Sequence, residues 1–455
     1  MRPATTSKGA LCGRVVCTYH LAGHTGEVTG HSGLLNPILV GACGVPSASG
    51  LGFAPLILLI GRSVMTRAHA VGSIRRRGRR LFLPAVVGSV VLIGTLAAAA
   101  PPAPRPGAVT SITGQLNAVS AVSPSDAWAV GFTVIAGQPG AVPLIMHWNG
   151  TSWSKAKSPN IPFGELNGVS MVSATDGWAA GWSRNTGKII ILHWDGTSWT
   201  QVPGPAPDNG VLFGVSVDSA TDAWTAGPLS SERSRPAVML HWDGTSWTRV
   251  PITVSGIFSD LDAVSAASAS DAWIVGLVDQ NQVLQSLALH WDGTSWTQVP
   301  TPSPGPETTL TAVSDTSPGN AWAVGWADRT QDGTQTITLH WNGSAWQHVA
   351  SPSPGHQIPR AGVIGNELTG VAITSRMNAW AVGDYTVNGT DRQAALTLHW
   401  NGSRWARVPN LGGTSDSFLH GISMVSATDG WAVGGHRNTG KIIILRWNGS
   451  TWGQP

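Results

Sequence analysis

The chain has 455 residues, and its 56 Gly and 30 Pro outnumber its 27 Lys+Arg and 24 Asp+Glu together. So little charge beside so much Gly argues against coiled coils and helical bundles, and an apolar share of 42% argues against wholesale disorder. The formal charge of +3 averages two unlike parts: residues 1–100 hold ten of the basic residues and one acid, Glu27, leaving 17 basic and 23 acidic residues with no basic stripe, which disfavours nucleic-acid binding.

Cys12, Cys17 and Cys43 are the three cysteines, so the chain beyond them has no disulfide, thiolate nucleophile or Cys-ligated metal. Arg75-Arg76-Arg77-Gly78-Arg79-Arg80 precedes twenty uncharged residues, 81–100, and the Pro-rich spacer Pro101-Pro102-Ala103-Pro104. A positive cluster, an apolar run and small residues at its end are the parts of an export signal. Arg79-Arg80-Leu81-Phe82-Leu83 also matches a twin-arginine signal, beside the ordinary Sec reading. Twenty apolar residues also suffice to cross a bilayer. The segment reads either as a signal cleaved among the alanines 97–100 or as a retained anchor. Both readings place residues 101–455 in a secreted or cell-surface location, with membrane contact only through 81–100. Met65 stands ten residues before the arginine cluster and is a candidate start. That makes 1–64 a non-native or disordered extension and 65–107 the signal or anchor with its spacer.

From residue 108 onward the chain repeats itself, which decides the fold. Seven related units begin at Leu116, Leu166, Phe213, Leu261, Leu310, Leu368 and Leu419, and their leading tryptophans stand at 128, 178, 224, 273, 322, 380 and 431. Three Trp per unit account for all of the 23 except Trp182 and Trp326. In the second unit, residues 166–172 alternate as a first strand, and 173–176 form a turn of self-capping residues. A second strand spans 178–182, a polar loop 183–187, and a β-branched third strand 189–194. Asp195-Gly196 predicts a two-residue hairpin turn, with 198–202 as the fourth strand. That register sets Leu192 opposite Trp199 and makes Trp194 and Trp199 diagonal neighbours. Both faces of such a sheet are apolar, so each must be covered by another sheet. Seven four-stranded antiparallel blades in a ring satisfy that need: an all-β, seven-bladed β-propeller over 108–455, after an N-terminal export signal or anchor.

The repeat length and the Trp-Asp-Gly-Thr-Ser-Trp turn resemble the Asp-box and kelch-like propellers. Asp195 and Gly196 are adjacent here, whereas the Asp-box separates them, and the kelch double glycine is absent. The chain is similar to secreted bacterial propellers with DAWAVG and HWDGTSW repeats, over about residues 110–455. The resemblance implies the fold and an extracytoplasmic setting, and it implies no particular activity.

Propellers host both enzymes and binding scaffolds, so function must come from motifs. The repeat region has one tyrosine, Tyr385, with no neighbouring Glu in sequence, which argues against a sialidase; the lack of Cys argues against a Tyr–Cys copper site. Asp126, Asp176, Asp222, Asp271 and Asp429 hold one equivalent turn position, with Asn320 and Asn378 in the other two units. His147, His193, His241, His290, His340 and His399 share another, where unit seven has Arg446. Residues repeated around a ring read as scaffold, the histidines as interblade packing and hydrogen bonding. Sequons such as Asn149-Gly150-Thr151, Asn388-Gly389-Thr390 and Asn401-Gly402-Ser403 read as turns. No catalytic set, metal site or cofactor is expected.

Function is expected where the units differ. The second-to-third strand loops and the links between units vary: 133–142, 229–235, 327–335, 386–393 and 351–367. They share one face of the ring. Units two and seven share the segment Arg-Asn-Thr-Gly-Lys, starting at Arg184 and Arg437. Candidate ligand-contacting residues on this face are Trp182, Trp326, Arg184, Asp328 and Arg437. The preferred reading is a non-catalytic extracellular scaffold for a protein or cell-wall polysaccharide ligand. The alternatives are a secreted glycan hydrolase with acids such as Glu165, Asp328 and Glu367, and an envelope structural protein. Finally, unit seven ends in a weak outer strand, Thr451-Trp452-Gly453-Gln454-Pro455, while 108–113 is strand-like, so 108–113 is expected to pair with the last blade as a latch.

Overall fold

Alternation that is apolar on both sides, as in Ile189-Ile190-Ile191-Leu192, makes strands that need cover on both faces, and a ring of blades supplies it. The computed structural model describes residues 112–455 apart from 136, 138–139, 230–236, 255, 257–258, 330–332, 356–364, 389, 391 and 411–415. The expectations for 1–64, for the signal or anchor in 65–107 and for 108–111 lie outside the described residues. Each repeat folds as its own antiparallel four-stranded sheet with the strands paired in chain order. In blade 2 the strands are Gly164–Ser173, Asp176–Ser183, Lys188–Trp194 and Trp199–Gln201. Numbering the sheets in chain order gives blades 1 to 7, with blade 1 opening at Gly114–Ser123 and blade 7 at Ser417–Ser426. The seven first strands pack on one another in a closed cycle and therefore line the central channel.

The seams between blades form the core. Ile190 and Leu192 pack into the cluster shared with blade 1, and Ile189 and Ile191 into the one shared with blade 3. The leading Trp of each blade inserts between the two hairpin Trp of the next. Trp178 lies 4.8 Å from Trp242 and 5.1 Å from Trp247, ring centroid to centroid. Trp431 closes the ring at 4.9 Å from Trp148 and 5.0 Å from Trp153. Offset and edge-to-face pairs of this kind add to plain area burial. The repeated histidines hydrogen-bond within their own blades: His193 Nε2 donates to Asp176 Oδ1 at 2.8 Å and its ring lies against Trp178, while His290 also lies 6.4 Å from Trp341 of the next blade. The third-strand indole of each pair also donates inward, as Trp194 Nε1 does to Ala174 O at 2.9 Å.

Three expectations about register are corrected. The hairpin is a four-residue connection, with Trp194 directly opposite Trp199. The reason is the Asp195 carboxylate, which accepts from the Thr197 and Ser198 amides at 2.8 Å, with Gly196 at φ 87°. Asn149 does the same for Thr151 and Ser152, which supports the turn reading of that sequon; Gly389 of the second sequon lies outside the described residues. Unit three starts at Leu212 rather than Phe213. Leu212 is fully buried and accepts from Asn167, as Leu166 does from Asn117, whereas Phe213 is exposed. Fourth strands are short in every blade, three or four residues in blades 1 to 6 and two, Trp452–Gly453, in blade 7, so the last blade is less exceptional than expected.

Among the described residues no blade borrows a strand, yet the ring is clasped. Between blades 2 and 3 the link residues 208–210 lie along the start of the third strand, through Ile189 N to Asp208 O and Gly210 N to Gly187 O. Residues 112–114 make the same bonds at the last seam, Ile442 N to Ile112 O and Gly114 N to Gly440 O, with Thr113 bridging Lys441. The described part of the expected latch thus pairs with blade 7, in the place of an interblade link. Arg446 adds to this seam. Its guanidinium binds Asp429 at 3.0 Å through two nitrogens, donates to Pro124 O of blade 1 at 3.3 Å and lies over Trp148 of blade 1.

Candidate functional site

Strand order puts the first-to-second and third-to-fourth turns on one face of the ring, the turn face, and the second-to-third loops and interblade links on the other, the loop face. In six blades the first strand breaks register at the residue after its repeated Leu: Asn117, Asn167, Asp262, Thr311, Thr369 and His420. Blade 3 has Phe213 there. Bulges re-aim side chains, and four of these residues bond the next blade. Asn117 and Asn167 donate to Leu166 O and Leu212 O at 2.9 Å, Thr369 donates to Leu419 O at 2.6 Å, and Thr311 donates to Leu368 O. The other three seams carry Phe213, Asp262 and His420. Phe213 has no group to donate, and Asp262 and His420 make no side-chain hydrogen bond to a described residue.

Two residues before each bulge, the first strand faces the end of the second. The pairs there are Glu165 with Trp182, Asp260 with Leu277, Thr309 with Trp326 and Glu367 with Asp384. In blade 2 the acid is satisfied: Arg184 donates to Glu165 Oε2 from Nη2 at 2.6 Å and from Nε at 2.9 Å, and lies over Trp182. In blade 6 two carboxylates face each other instead. Asp384 is only 4% exposed. Burial and the neighbouring Asp384 push Glu367 up to about 8. Burial pushes Asp384 up to about 6 against the pull of Arg437. Burial, with Asp260 and Glu367, holds Asp262 well above the usual carboxylate range. Burial, then Arg437, lowers His420 to about 4. Thr309 Oγ1 is buried and has no hydrogen-bond partner.

Of the expected contact residues, Trp182 and Arg184 come together around Glu165. Trp326 and Asp328 lie two apart on the second strand of blade 5, and Arg437 lies over Phe418 in blade 7. They do not form one cluster. Trp182 and Trp326 are both half-buried, and no Trp of the chain is among its exposed large apolar side chains. The three acids of the hydrolase alternative come from blades 2, 5 and 6, and Glu165 is held by Arg184. Tyr385 is next to Asp384, but its hydroxyl accepts from Arg407 Nη2 at 2.6 Å. Sequence patterning does not single out Asp262, Thr309, Asp384 or Phe213. The signal that points to this level of the channel is the position after the repeated Leu, which reads Asn, Asn, Phe, Asp, Thr, Thr, His around the ring. Among the described residues no group of three or more His, Cys, Asp or Glu is arranged to hold a metal ion.

No protein-family model matches the chain. No curated protein matches it. Solved propellers do. YCF48 bound to a D1 peptide is 15% identical with a TM-score of 0.48, over 75% of this chain and 95% of that one. YCF48 from Cyanidioschyzon merolae is 16% identical with a TM-score of 0.48, over 74% and 96%. The β-propeller domain of the Trilobed protease from Pyrococcus furiosus is 8% identical with a TM-score of 0.46, over 75% and 94%. The chain is an all-β propeller of seven four-stranded antiparallel blades, rich in repeated tryptophan.

Proposed function

We propose that the chain is a non-catalytic binding scaffold, exported through residues 75–100 by a Sec or twin-arginine route, whose loop face holds an extracellular ligand. One observation carries the reading: the turn face repeats a Trp–His arrangement in six blades, with the His bonded to Asp in four and to Asn in two and Arg446 bonded to Asp429 in the seventh, while the loop-face ends of the same strands differ from blade to blade. A scaffold that needed only to fold would have no reason to diverge at one end of each blade. A protein ligand is preferred to a cell-wall glycan because stacking on sugar rings needs open aromatic faces, and the leading tryptophans are buried in the seams, which leaves only the half-buried Trp182 and Trp326 on the loop face. Asp-box or kelch-like descent and a bacterial source are consistent with the repeats.

The glycan-hydrolase reading keeps one supporting observation, the opposed carboxylates Glu367 and Asp384, whose different environments are of the kind that separates an acid from a base. The test is a screen of the full chain on polysaccharide, cell-wall and extracellular-protein arrays, repeated with Arg184→Ala on the loop face and Thr197→Ala on the turn face. Binding lost only with the loop-face change supports the scaffold. Released glycan product supports the hydrolase, and binding indifferent to both changes overturns the loop face as the site.

A further inference from the structure

We propose that the seam between blades 4 and 5 is a pH-sensitive closure, held shut by the protonated carboxyl of Asp315 and loosened when that proton is lost. The inference is independent of the loop-face reading. In each first strand one residue pairs with the residue just before the leading Trp. In six blades that residue is apolar: Ala121, Met171, Val217, Ala266, Ile373 and Met424. Each of the six packs against the apolar cluster shared with the preceding blade. In blade 5 the residue is Asp315. It turns into its seam as the others do, because Ser265 of blade 4 reaches it twice. Ser265 Oγ donates to Asp315 Oδ1 at 2.5 Å and accepts from the Asp315 amide at 3.2 Å. Asp315 Oδ2 is cut off from solvent and has no hydrogen-bond partner among the described residues. The remainder of the seam is apolar, with Val313, Ala321 and Trp341. A carboxyl with a side-chain donor on one oxygen and none on the other, in such surroundings, is disfavoured as an anion.

The charged groups around this end of the strand do not relieve it. Asp271 of blade 4 is 1% exposed, its Oδ1 is bonded to His290 Nε2, and its Oδ2 is also buried without a partner. Burial raises Asp315 to about 7, and Asp271 adds to the rise, against the opposing bond from Ser265. His290 is committed to Asp271, and Arg376 of blade 6 donates to Gly319 O in the turn beyond the strand. The other charged residues on the strands packed against the first strand of blade 5 stand at their loop-face ends. With the seam closed Asp315 keeps its proton up to about pH 7, and with the seam open and the group hydrated it releases the proton near its ordinary value of 3.8. The closure is therefore fully present below about pH 3.8, weakens as pH rises from there to about 7, and is constant above. The six apolar seams lack this dependence at the equivalent position, so the ring loosens at one chosen place.

Amide hydrogen exchange of the full chain tests this, with rates corrected for the intrinsic chemical pH dependence. The strand Thr308–Ser317 of blade 5 is compared with its equivalent Gly164–Ser173 of blade 2. From pH 5 to pH 7.5 the opening of the blade 5 strand is expected to rise at least about tenfold more than that of the blade 2 strand. Asp315→Asn keeps the shape and cannot ionise, and it is expected to remove this excess. Should that variant not fold, Asp315→Val, which introduces the residue type blade 3 carries as Val217, is expected to do the same. Glu367→Gln is expected to leave the excess in place, which separates the seam from the buried acid of blade 6. An equal rise in both strands, an excess that persists in a folded Asp315 variant, or one that disappears with Glu367→Gln would each overturn the proposal.

Discussion

The two ends of each first strand obey different rules. Toward the turn face the seams are near copies of one another: Ser120, Ser170, Ser216, Ser265 and Ser423 each accept an amide proton from the next blade through Oγ. Toward the loop face the same strands carry Glu165 bound to Arg184, Glu367 opposed to Asp384, and an unpaired Thr309. A ring of repeats is its own control. Where the scaffold decides, five of the seven seams repeat one serine bond, and the loop-face ends are free to differ. Stability should therefore reside in the turn-face half and its seams, and recognition in the loop-face half.

The strongest way to break this division is to remove a whole unit. Deleting 261–309 leaves two seams that no longer match, and because blades lack a core of their own the expected outcome is loss of cooperative unfolding in scanning calorimetry. A six-unit protein with a sharp transition would show that the seams are interchangeable. Next in size is Trp224→Ala, which empties a fully buried seam position and should cost about 3–5 kcal/mol in urea unfolding. Trp326→Ala at the loop-face end, half-buried, should cost clearly less; equal losses would erase the distinction between the ends. Removing residues up to 114 deletes the two clasp bonds to blade 7 and should cost about 2 kcal/mol, seen as a melting temperature lower by several degrees. A further test sharpens the comparison by pH. Glu367 is raised to about 8 in the folded chain, so the folded state binds the proton that the unfolded state releases above its ordinary value near 4.5. Stability therefore falls as pH rises from about 4.5 to 8, and Glu367→Gln should flatten that part of the stability profile.

The architecture is legible in the sequence because its signals are redundant. Seven leading tryptophans at near-regular spacing, each with a His-Trp or Arg-Trp pair downstream, admit few arrangements other than a ring. Register is less legible. The Asp195 carboxylate lengthens the hairpin by capping two amides, an effect that spacing alone does not reveal. The start of unit three is easily misplaced because Phe213 looks like the apolar residue that opens a unit, when Leu212 is the buried one and Phe213 takes the exposed bulge position. The channel mouth is the least legible part. Asp262, Thr309 and Glu367 lie on the first strands of three consecutive blades, and only the packing of those strands around the channel brings them to one level. Asp384 looks like an ordinary strand-end acid until the register places it opposite Glu367.

The clasp at the last seam also orders the folding of the ring in time. Gly187 and Gly210 are 23 positions apart in the chain, whereas Gly114 and Gly440, which make the equivalent bond, are 326 apart. Bringing together ends so distant costs about 2 kcal/mol more in loop-closure entropy than a seam between consecutive blades. Consecutive seams should therefore zip first, and the meeting of blade 7 with blade 1 should come last. That junction is the one where arginine stands in place of histidine, and its extra reach to Pro124 and Trp148 falls where the chain must recover the most entropy.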